Sequence, residues 1–369
     1  MNLSFWEKEE LSRHCDVLII GGGIVGLSAA LAIKKARPNY TVEVLEGQPY
    51  GALASSRNAG FACFGSVSEI LADMEKYGEE ETLRWVKKRR SGIKKLKRLY
   101  GEHIDYQETG GCEVFAKAEE YEIQASRIKE VNKCLGNEVF HQKNIVAGIR
   151  LHDRMIENNE EGQLNTGRLY SVLSLEVHQL GVVVIRNTEV QSIQPSEGVV
   201  NFGVRGHDIE IEKSASQILL STNALTKDLL EDEDVTPVRN QVLITDPIAD
   251  LSWQGCYHQD RGYIYFRNVG KRILIGGARN LFETEATNQL GINKENQSYL
   301  ENYINSYLNP SGSEIKVHHR WSGILSGGMK RSPIVKRVTD RVVVAARLSG
   351  MGVAIGLDIG EEAATLLLS

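Results

Sequence analysis

Three glycines and one acidic residue near the start of the chain are the residues best suited to hold a cofactor. The glycines have the spacing G-x-G-x-x-G and stand between an apolar run and a small-residue stretch: Gly21, Gly23 and Gly26. Such glycines let a chain turn out of a strand, approach a pyrophosphate and pack the next helix on the sheet. Residues 41–45 then predict a second strand, and Glu46 ends it, where an acidic side chain binds ribose hydroxyls. The pattern predicts a dinucleotide site to which Gly22 and Val25 also belong.

Two other interpretations of this stretch were weighed. It resembles a glycine-rich turn of some other α/β protein, or a membrane span, since residues 17–33 carry no charge. The consecutive glycines, the short apolar run and the preceding Asp16 disfavour a span.

The composition is typical of a soluble globular protein with about two domains. The chain has 369 residues, of which 41% are hydrophobic and 25% charged, and its formal net charge is -5. This mild acidity gives no reason to expect nucleic acid as a partner. The five cysteines are scattered without a C-x-x-C pair, so we expect free thiols, no metal site and a reducing compartment. The polar, acidic residues 1–14 are unlike a targeting peptide, and a cytoplasmic location is expected.

A loop of small residues after Glu46 predicts a second contact with the cofactor. Arg57 is the charged residue of 47–66, and its neighbours offer short polar groups or close backbone approach: Ser55, Ser56, Asn58, Ala59 and Gly60. Arg57 would neutralise a pyrophosphate. A flexible surface loop is the alternative.

The order of these motifs resembles the D-amino-acid oxidase, glycine oxidase and sarcosine oxidase family of flavoenzymes. G-G-G-I-V-G, an acid-ended second strand and S-S-R-N-A-G-F carry the resemblance, and S-F-W-E with S-S-R-N-A-G-F-A-C-F-G-S is most similar to the branch that includes gamma-glutamylputrescine oxidoreductase. The resemblance implies FAD. We expect it to be non-covalent, because the final glycine turn holds no cysteine and the S-S-R-N loop holds no histidine.

The resemblance also implies the fold class and the domains. The fold would be α/β, with a Rossmann-like FAD-binding domain of glutathione-reductase type interleaved with a smaller α+β substrate domain on a mainly antiparallel sheet. The FAD-binding domain is expected at 1–78, 142–228 and 321–369, and the substrate domain at 79–141 and 229–320.

Further cofactor contacts are implied at four places: Val190 beside the adenine, the pair Thr222 and Asn223, Gly323 of W-S-G, and the turn of Gly350, Met351, Gly352 and Val353. That turn opens the final helix, which is predicted to run to Ala364. N–H groups at such a helix N-terminus favour the negative charge that gathers on a reduced flavin. A strand–turn–helix unit that simply closes a sheet is the alternative.

The substrate residues are less clearly marked. Alternation over 262–267 predicts a strand with Tyr263 and Tyr265 on one face, which the family uses to wall the substrate pocket, although ordinary sheet aromatics explain the pattern equally well. The family's carboxylate-binding arginine after W-x-G is missing, since the chain there contains I-L-S-G-G. Three basic residues are therefore the candidates for binding an anion or positioning water: Arg267, Lys330 and Arg331.

The predicted reaction is oxidation of an amine or amino acid by hydride transfer to flavin N5, giving an imine that hydrolyses. The partners would be that small substrate and either oxygen or another electron acceptor. Three alternatives remain: a dehydrogenase that uses a quinone or protein acceptor, a flavoprotein with a structural or sensor role, and an NAD-only dehydrogenase, which leaves two glycine-rich segments unexplained. Residues 79–100 predict a basic amphipathic helix that would suit membrane docking, although a solvated face is favoured.

Overall fold

The computed structural model describes residues 3–51, 53–309 and 315–369. The chain forms two compact units, each assembled from separate segments. The first unit comprises Met1–Arg57, Thr166–Pro237 and Leu325–Ser369, and the second comprises Asn58–Asn165 and Val238–Ile324. No helix in the described ranges is long and apolar enough to cross a membrane.

The described residues contain eight α-helices, in chain order α1 (Phe5–Ser12), α2 (Ile24–Ala36), α3 (Val67–Tyr77), α4 (Glu79–Tyr100), α5 (Ala118–Leu135), α6 (Thr166–Gln179), α7 (Lys294–Tyr303) and α8 (Gly352–Leu368). The strands of the same residues are β1 (Cys15–Ile20), β2 (Val42–Glu46), β3 (Phe61–Ala62), β4 (Gly111–Val114), β5 (Phe140–Asn144), β6 (Arg154–Asn158), β7 (Gly162–Gln163), β8 (Val183–Arg186), β9 (Thr188–Gln194), β10 (Val199–Val204), β11 (Glu210–Leu220), β12 (Thr236–Thr245), β13 (Cys256–Gln259), β14 (Ile264–Val269), β15 (Arg272–Gly277), β16 (Val317–Gly327), β17 (Ile334–Arg337) and β18 (Val342–Ala346).

The first unit is built on a mostly parallel sheet in the order β17-β18-β11-β1-β2-β8. β1 lies between β11 and β2 and pairs in parallel with both, with Val17 opposite Gln217 and Val42. Its residues are buried because a parallel sheet is covered on both faces. α2 and α8 pack together closely, since a Cβ at Gly360 of α8 would lie only 2.6 Å from the Val25 carbonyl oxygen of α2.

The second unit is built on a sheet in the order β16-β12-β15-β14-β13-β4-β6-β5. Its pairings are mainly antiparallel, and β13 runs parallel to β4. One face carries the hydrophobic core of this unit, with Trp253, Tyr257, Phe266 and Tyr303 among its large residues. Alternation along the strands then directs Tyr265 and Arg267 to the opposite face.

The unit boundaries differ from the predicted domains. Residues 58–78 and 142–165 lie in the second unit. The family resemblance implies instead that they belong to the FAD-binding domain. The reason is strand pairing: β3 pairs with β7, and β5 and β6 complete the second sheet. The second unit spans more residues than the first.

The predicted strand at 262–267 begins later than expected, and this changes the position of Tyr263. β14 starts at Ile264, because Asp260, Arg261 and Gly262 have positive φ angles of 48°, 53° and 74° that form a turn. Tyr263 closes this turn, where its N–H donates to the Asp260 carbonyl, so the strand does not carry it beside Tyr265. The predicted last helix also runs further, to Leu368, and α7 continues as a π-helix after Tyr303.

Candidate cofactor site and candidate active-site face

The glycine-rich turn after β1 has no room for side chains. Gly21 has a φ of +104°, and a Cβ there would lie 2.6 Å from the Ser221 carbonyl oxygen. A Cβ at Gly26 would lie 2.0 Å from the Gly21 carbonyl oxygen. α2 begins after Gly23 without a side-chain cap, and its Ile24 N–H donates to Ser55 Oγ at 2.9 Å. A glycine turn at a helix N-terminus is the geometry that binds a pyrophosphate.

Glu46 is fixed beside the same turn. Its Oε2 accepts a hydrogen bond from Gly22 N–H and its Oε1 accepts one from Gln48 N–H, each at 2.8 Å. Burial raises the pKa of Glu46, against the lowering effect of these two N–H groups. Each carboxylate oxygen keeps a further lone pair for a hydroxyl donor. The arrangement therefore suits the ribose role predicted for Glu46.

The small-residue loop at 55–60 is divided by the unit boundary. Ser55, Ser56 and Arg57 belong to the first unit, and the next three residues belong to the second. Asn58 Oδ1 accepts from Gly60 N–H at 2.9 Å, which closes a tight turn. Their roles as cofactor contacts stay a prediction.

Thr222 and Asn223 follow β11 and lie next to the glycine turn. A Cβ at Gly21 would lie 3.1 Å from the Thr222 backbone nitrogen, and Ser221 Oγ donates to the Gly21 carbonyl oxygen at 2.8 Å. Asn223 has a φ of +48°, and its Oδ1 accepts from Ser326 Oγ at 2.6 Å.

Val190 and Gly323, which the resemblance also implies as cofactor contacts, belong to different units. Val190 lies in β9 opposite Phe202 of the first unit, and its contact with adenine stays a prediction. Gly323 is a buried residue of β16 and belongs to the second unit.

The turn before α8 has an unusual backbone. Arg347, Ser349 and Gly350 have φ angles of +58°, +48° and +83°. α8 starts at Gly352, and its N-cap residue Met351 supplies no side-chain cap. Ser349 Oγ is buried without a hydrogen-bond partner in the described residues. This buried hydroxyl beside the start of a helix would suit a group that accepts hydrogen bonds.

Lys330 and Arg331, predicted as anion-binding residues, belong to the first unit. Lys330 is exposed, and its backbone N–H donates to Asp234 at 3.3 Å. The other three predicted catalytic residues, Tyr263, Tyr265 and Arg267, belong to the second unit.

An aromatic cluster occupies the face of the second sheet that carries Tyr265. Phe61 contacts Tyr265 edge-on at 5.4 Å between ring centroids, with Trp321 and Val242 packed nearby. The Tyr265 hydroxyl accepts a hydrogen bond from Asn240 Nδ2 at 2.7 Å. Burial raises the pKa of Tyr265 to about 12, so the phenol stays neutral. The cluster forms an apolar wall with one neutral polar group.

Arg267 lies two residues beyond Tyr265 on the same face. Its side chain is buried, its Nε donates to the Ala59 carbonyl at 2.6 Å, and its Nη2 donates to the Leu164 carbonyl at 3.1 Å. Among the described residues no carboxylate lies within ion-pair distance of it, and burial lowers its pKa. Arg267 is therefore a buried cation held by neutral groups.

A buried group of titratable residues on this face was missed by the sequence analysis. His258 is the strand partner of both Tyr265 and Glu113, and its Nε2 lies 3.5 Å from Glu161 Oε2. Burial would lower the pKa of His258, but the Glu161 carboxylate outweighs it and raises this pKa; burial would raise the pKa of Glu161, but His258 and two backbone N–H groups lower it. The pair is therefore ionic. The residues are far apart in sequence, so no local pattern indicated them.

Glu113 is buried beside this pair. Burial raises its pKa to about 7, although Ser68 donates to it through both its hydroxyl and its N–H. The described residues contain no group that could hold a metal ion.

Comparison with known proteins gives a consistent result. The profile of the family described as "DAO: FAD dependent oxidoreductase" matches residues 16–366. The chain is 25% identical to glycine oxidase of Bacillus licheniformis over 97% of this chain and 94% of that protein. It is 22% identical to "Probable oxidoreductase OrdL" of Haemophilus influenzae, over 93% of this chain and 80% of that protein.

Solved structures show the same fold. Glycine oxidase from Geobacillus kaustophilus superposes with a TM-score of 0.80 at 19% identity, covering 97% of this chain and 95% of that one. L-proline dehydrogenase from P. horikoshii superposes with a TM-score of 0.77 at 17% identity, covering 96% and 94%. The predicted α/β fold class is confirmed.

Proposed function

This chain belongs to the DAO family of FAD-dependent oxidoreductases, and we propose that it oxidises a small amino acid or a related amine that carries a carboxylate. FAD is its cofactor and, when bound, would supply the hydride acceptor for oxidation of the carbon next to the substrate nitrogen. The first unit suits the cofactor: a Cβ at Gly21 or Gly26 would collide with backbone atoms, Glu46 is fixed beside the turn, and the N-cap residues of α2 and α8 supply no side-chain cap. We propose that no covalent link holds it.

Arg267 is the observation that supports a carboxylate in the substrate. A buried cation without a counter-ion is costly, because neutral carbonyls replace only part of its hydration. A substrate carboxylate would supply the missing negative charge. The arginine that the family resemblance led us to expect shortly after W-S-G is absent from the following segment I-L-S-G-G, so the chain needs another group for this task. Solved relatives named for glycine and iminodiacetate, two carboxylated amines, are consistent with this class.

The neighbours of Arg267 would orient the substrate and exclude water. Phe61 and Tyr265 present ring surfaces on the same sheet face, and Asn240 holds the Tyr265 hydroxyl. Because Tyr265 stays protonated, it adds no charge that would compete with Arg267 for the carboxylate. The carboxylate would therefore be bound beside ring surfaces that carry no charge.

The test is anaerobic reduction of the purified holoenzyme by added amines. The loss of flavin absorbance measures the extent of reduction. The panel contains glycine, sarcosine, proline, D-amino acids, iminodiacetate and gamma-glutamylputrescine, each beside a matched amine without a carboxylate. We expect a carboxylated amine to bleach the flavin at much lower concentration than its partner. Equal bleaching by both members of every pair would contradict the carboxylate assignment, and a yellow protein that no amine bleaches would favour a structural or sensor role.

Arg267→Lys sharpens this test, because it keeps the charge and loses the planar donor geometry. The variant should need about 100-fold more of the carboxylated substrate for half-reduction, with little change for an amine without a carboxylate. Arg272→Lys is the matched control, since Arg272 lies on the neighbouring strand and donates to the Thr245 carbonyl at 2.7 Å. An equal loss for both amine classes in Arg267→Lys would show that Arg267 only supports the fold.

The electron acceptor is a separate question, and we propose oxygen as the first candidate. A quinone or protein acceptor is the second, favoured by the exposed basic residues of α4: Arg84, Lys87, Lys94, Lys97 and Arg98. Mixing the reduced enzyme with aerated buffer distinguishes the two, because an oxidase is reoxidised quickly and a dehydrogenase slowly. A cytoplasmic location remains our proposal, supported by five cysteines that are all free thiols.

A further inference from the structure

We propose that Arg347 and Asp234 form a strut that fixes the turn before α8 and thereby sets the affinity and reduction potential of the bound flavin. The proposal rests on the expected position of the flavin edge at this turn. It assigns Arg347 as a positioning residue, since its guanidinium acts through the turn.

The turn needs an external support because its backbone is strained. Arg347 and Ser349 have positive φ angles although both carry a Cβ, a backbone conformation that is costly for such residues. Gly350, with a φ of +83°, follows directly. A conformation of this kind persists when surrounding contacts fix it.

The side chain of Arg347 supplies those contacts. It is buried, its Nε donates to the Ser332 carbonyl at 2.8 Å, and its Nη1 donates to the Asp234 carbonyl at 2.9 Å. Nη1 also forms an ion pair with the Asp234 carboxylate. One side chain therefore ties the turn to two other chain segments of the first unit.

Two backbone N–H groups also fix the carboxylate of Asp234. Its Oδ1 accepts from Met329 N–H at 2.9 Å, and its Oδ2 accepts from Lys330 N–H at 3.3 Å. Burial would raise the pKa of Asp234, but these N–H groups and Arg347 lower it, so the carboxylate stays charged. Gly328 is required for this close packing, because a Cβ there would lie 2.8 Å from Arg347 Cδ and 2.6 Å from the Asp234 carbonyl oxygen.

The positive charge of Arg347 is neutralised by Asp234, so its effect on a flavin would be geometric. The strut keeps the N–H groups at the uncapped start of α8, and the unpaired Ser349 hydroxyl, in fixed directions. Donors that are already oriented stabilise developing negative charge without reorganisation. Without the strut the strained angles would relax, and the donors would lose their alignment.

Three variants distinguish the effect of the Arg347–Asp234 contact from the effect of the strained backbone at Arg347. Arg347→Gly removes the side chain but tolerates the positive φ, Arg347→Lys keeps an ion pair with Asp234 without the bond to Ser332, and Asp234→Asn keeps an acceptor for Met329 without the charge. Arg341→Ala is the matched control, because Arg341 precedes the same strand, β18, and is exposed.

The readouts are the Kd of FAD for the apoprotein, from flavin fluorescence, and the reduction potential of the reconstituted protein, from equilibration with a reference dye. We expect Arg347→Gly and Asp234→Asn to raise the Kd at least about tenfold and to lower the potential, Arg347→Lys to be intermediate, and Arg341→Ala to match the wild type. Wild-type Kd and potential in a folded Arg347→Gly or Asp234→Asn protein would overturn the proposal.

Further outcomes distinguish the proposed strut from a general folding contact and from a failure of the proposed cofactor site. A variant that loses FAD while the thermal unfolding of its apoprotein is unchanged supports the strut, and Asp234→Asn supplies this comparison if Arg347→Gly does not fold. If both changes raise the Kd only in proportion to a loss of global stability, the strut is a folding contact and the proposal fails. A wild-type apoprotein that binds no FAD would instead contradict the proposed cofactor site.

Discussion

Replacing Gly26 by alanine should separate FAD binding from folding, because the added methyl group meets backbone atoms of the cofactor turn. The new Cβ would lie 2.0 Å from the Gly21 carbonyl oxygen and 2.7 Å from Ser221 Oγ. The first distance is about 1 Å shorter than real Cβ contacts allow, so α2 must move away from the turn. Overpacking of this kind costs about 1–3 kcal/mol.

The same displacement acts on the phosphate-binding N–H groups. A hydrogen bond to a charged group contributes about 1.5–3 kcal/mol, so misplacing one or two of them should raise the Kd of FAD about 10- to 100-fold. The fold should tolerate the cost of overpacking, because the two parallel neighbours of β1 remain paired. The expected result is a folded protein that is isolated without its yellow colour.

The assay is fluorescence titration of the apoprotein with FAD, beside thermal unfolding of the same sample. Gly203→Ala is the matched control: it lies in β10 of the first unit, and its Cβ would make ordinary contacts at 3.4 and 3.6 Å. A Gly26→Ala protein that binds FAD within twofold of the wild type would refute the claim that this turn has no spare room.

Three further predictions concern buried polar groups. The folded protein retains a proton on Glu113 up to about pH 7, so the free energy of unfolding should fall by up to about 3 kcal/mol as pH rises from 4.5 to 7. Glu113→Gln should flatten that fall when it is measured by urea unfolding. An unchanged dependence of the unfolding free energy on pH would count against the raised pKa. The Glu161–His258 pair should contribute most between the lowered pKa of Glu161 and the raised pKa of His258, because Glu161 loses its charge below that window and His258 loses its charge above it. Glu161→Gln should therefore cost about 3–5 kcal/mol of unfolding free energy within the window and less at higher pH, and a pH-independent cost would argue against an ionic pair. Ser349→Ala should leave apoprotein unfolding unchanged and weaken FAD binding about 2- to 10-fold, whereas unaltered affinity would mean that the hydroxyl does not reach the cofactor.

Elements with a clear local pattern could be predicted from the sequence. The helix at 79–100 has the predicted bounds, because an amphipathic period is a property of contiguous residues. The glycine motif could be predicted for the same reason, since its three glycines and Glu46 lie within one βαβ unit.

Features that depend on distant residues could not be predicted. Residues 142–165 were misassigned because their sheet partners lie elsewhere in the chain, and Tyr263 was misplaced because three successive positive φ angles precede it. Arg347 gave no signal, since an arginine in a left-handed conformation has no sequence signature. Arg267 was identified as a candidate, but its lack of a counter-ion is visible only in the folded unit.

The packing of α8 on α2 has a consequence for synthesis of the chain. α2 is translated near the start of the chain. Its packing partners in α8, Gly356 against Ile24 and Gly360 against the Val25 carbonyl, are translated more than 300 residues later. At ribosomal rates of about 5–20 residues per second, the apolar surface of α2 waits for tens of seconds without its partner. We therefore expect this apolar surface of the nucleotide-binding unit to be open to aggregation or to chaperone binding until α8 has been translated.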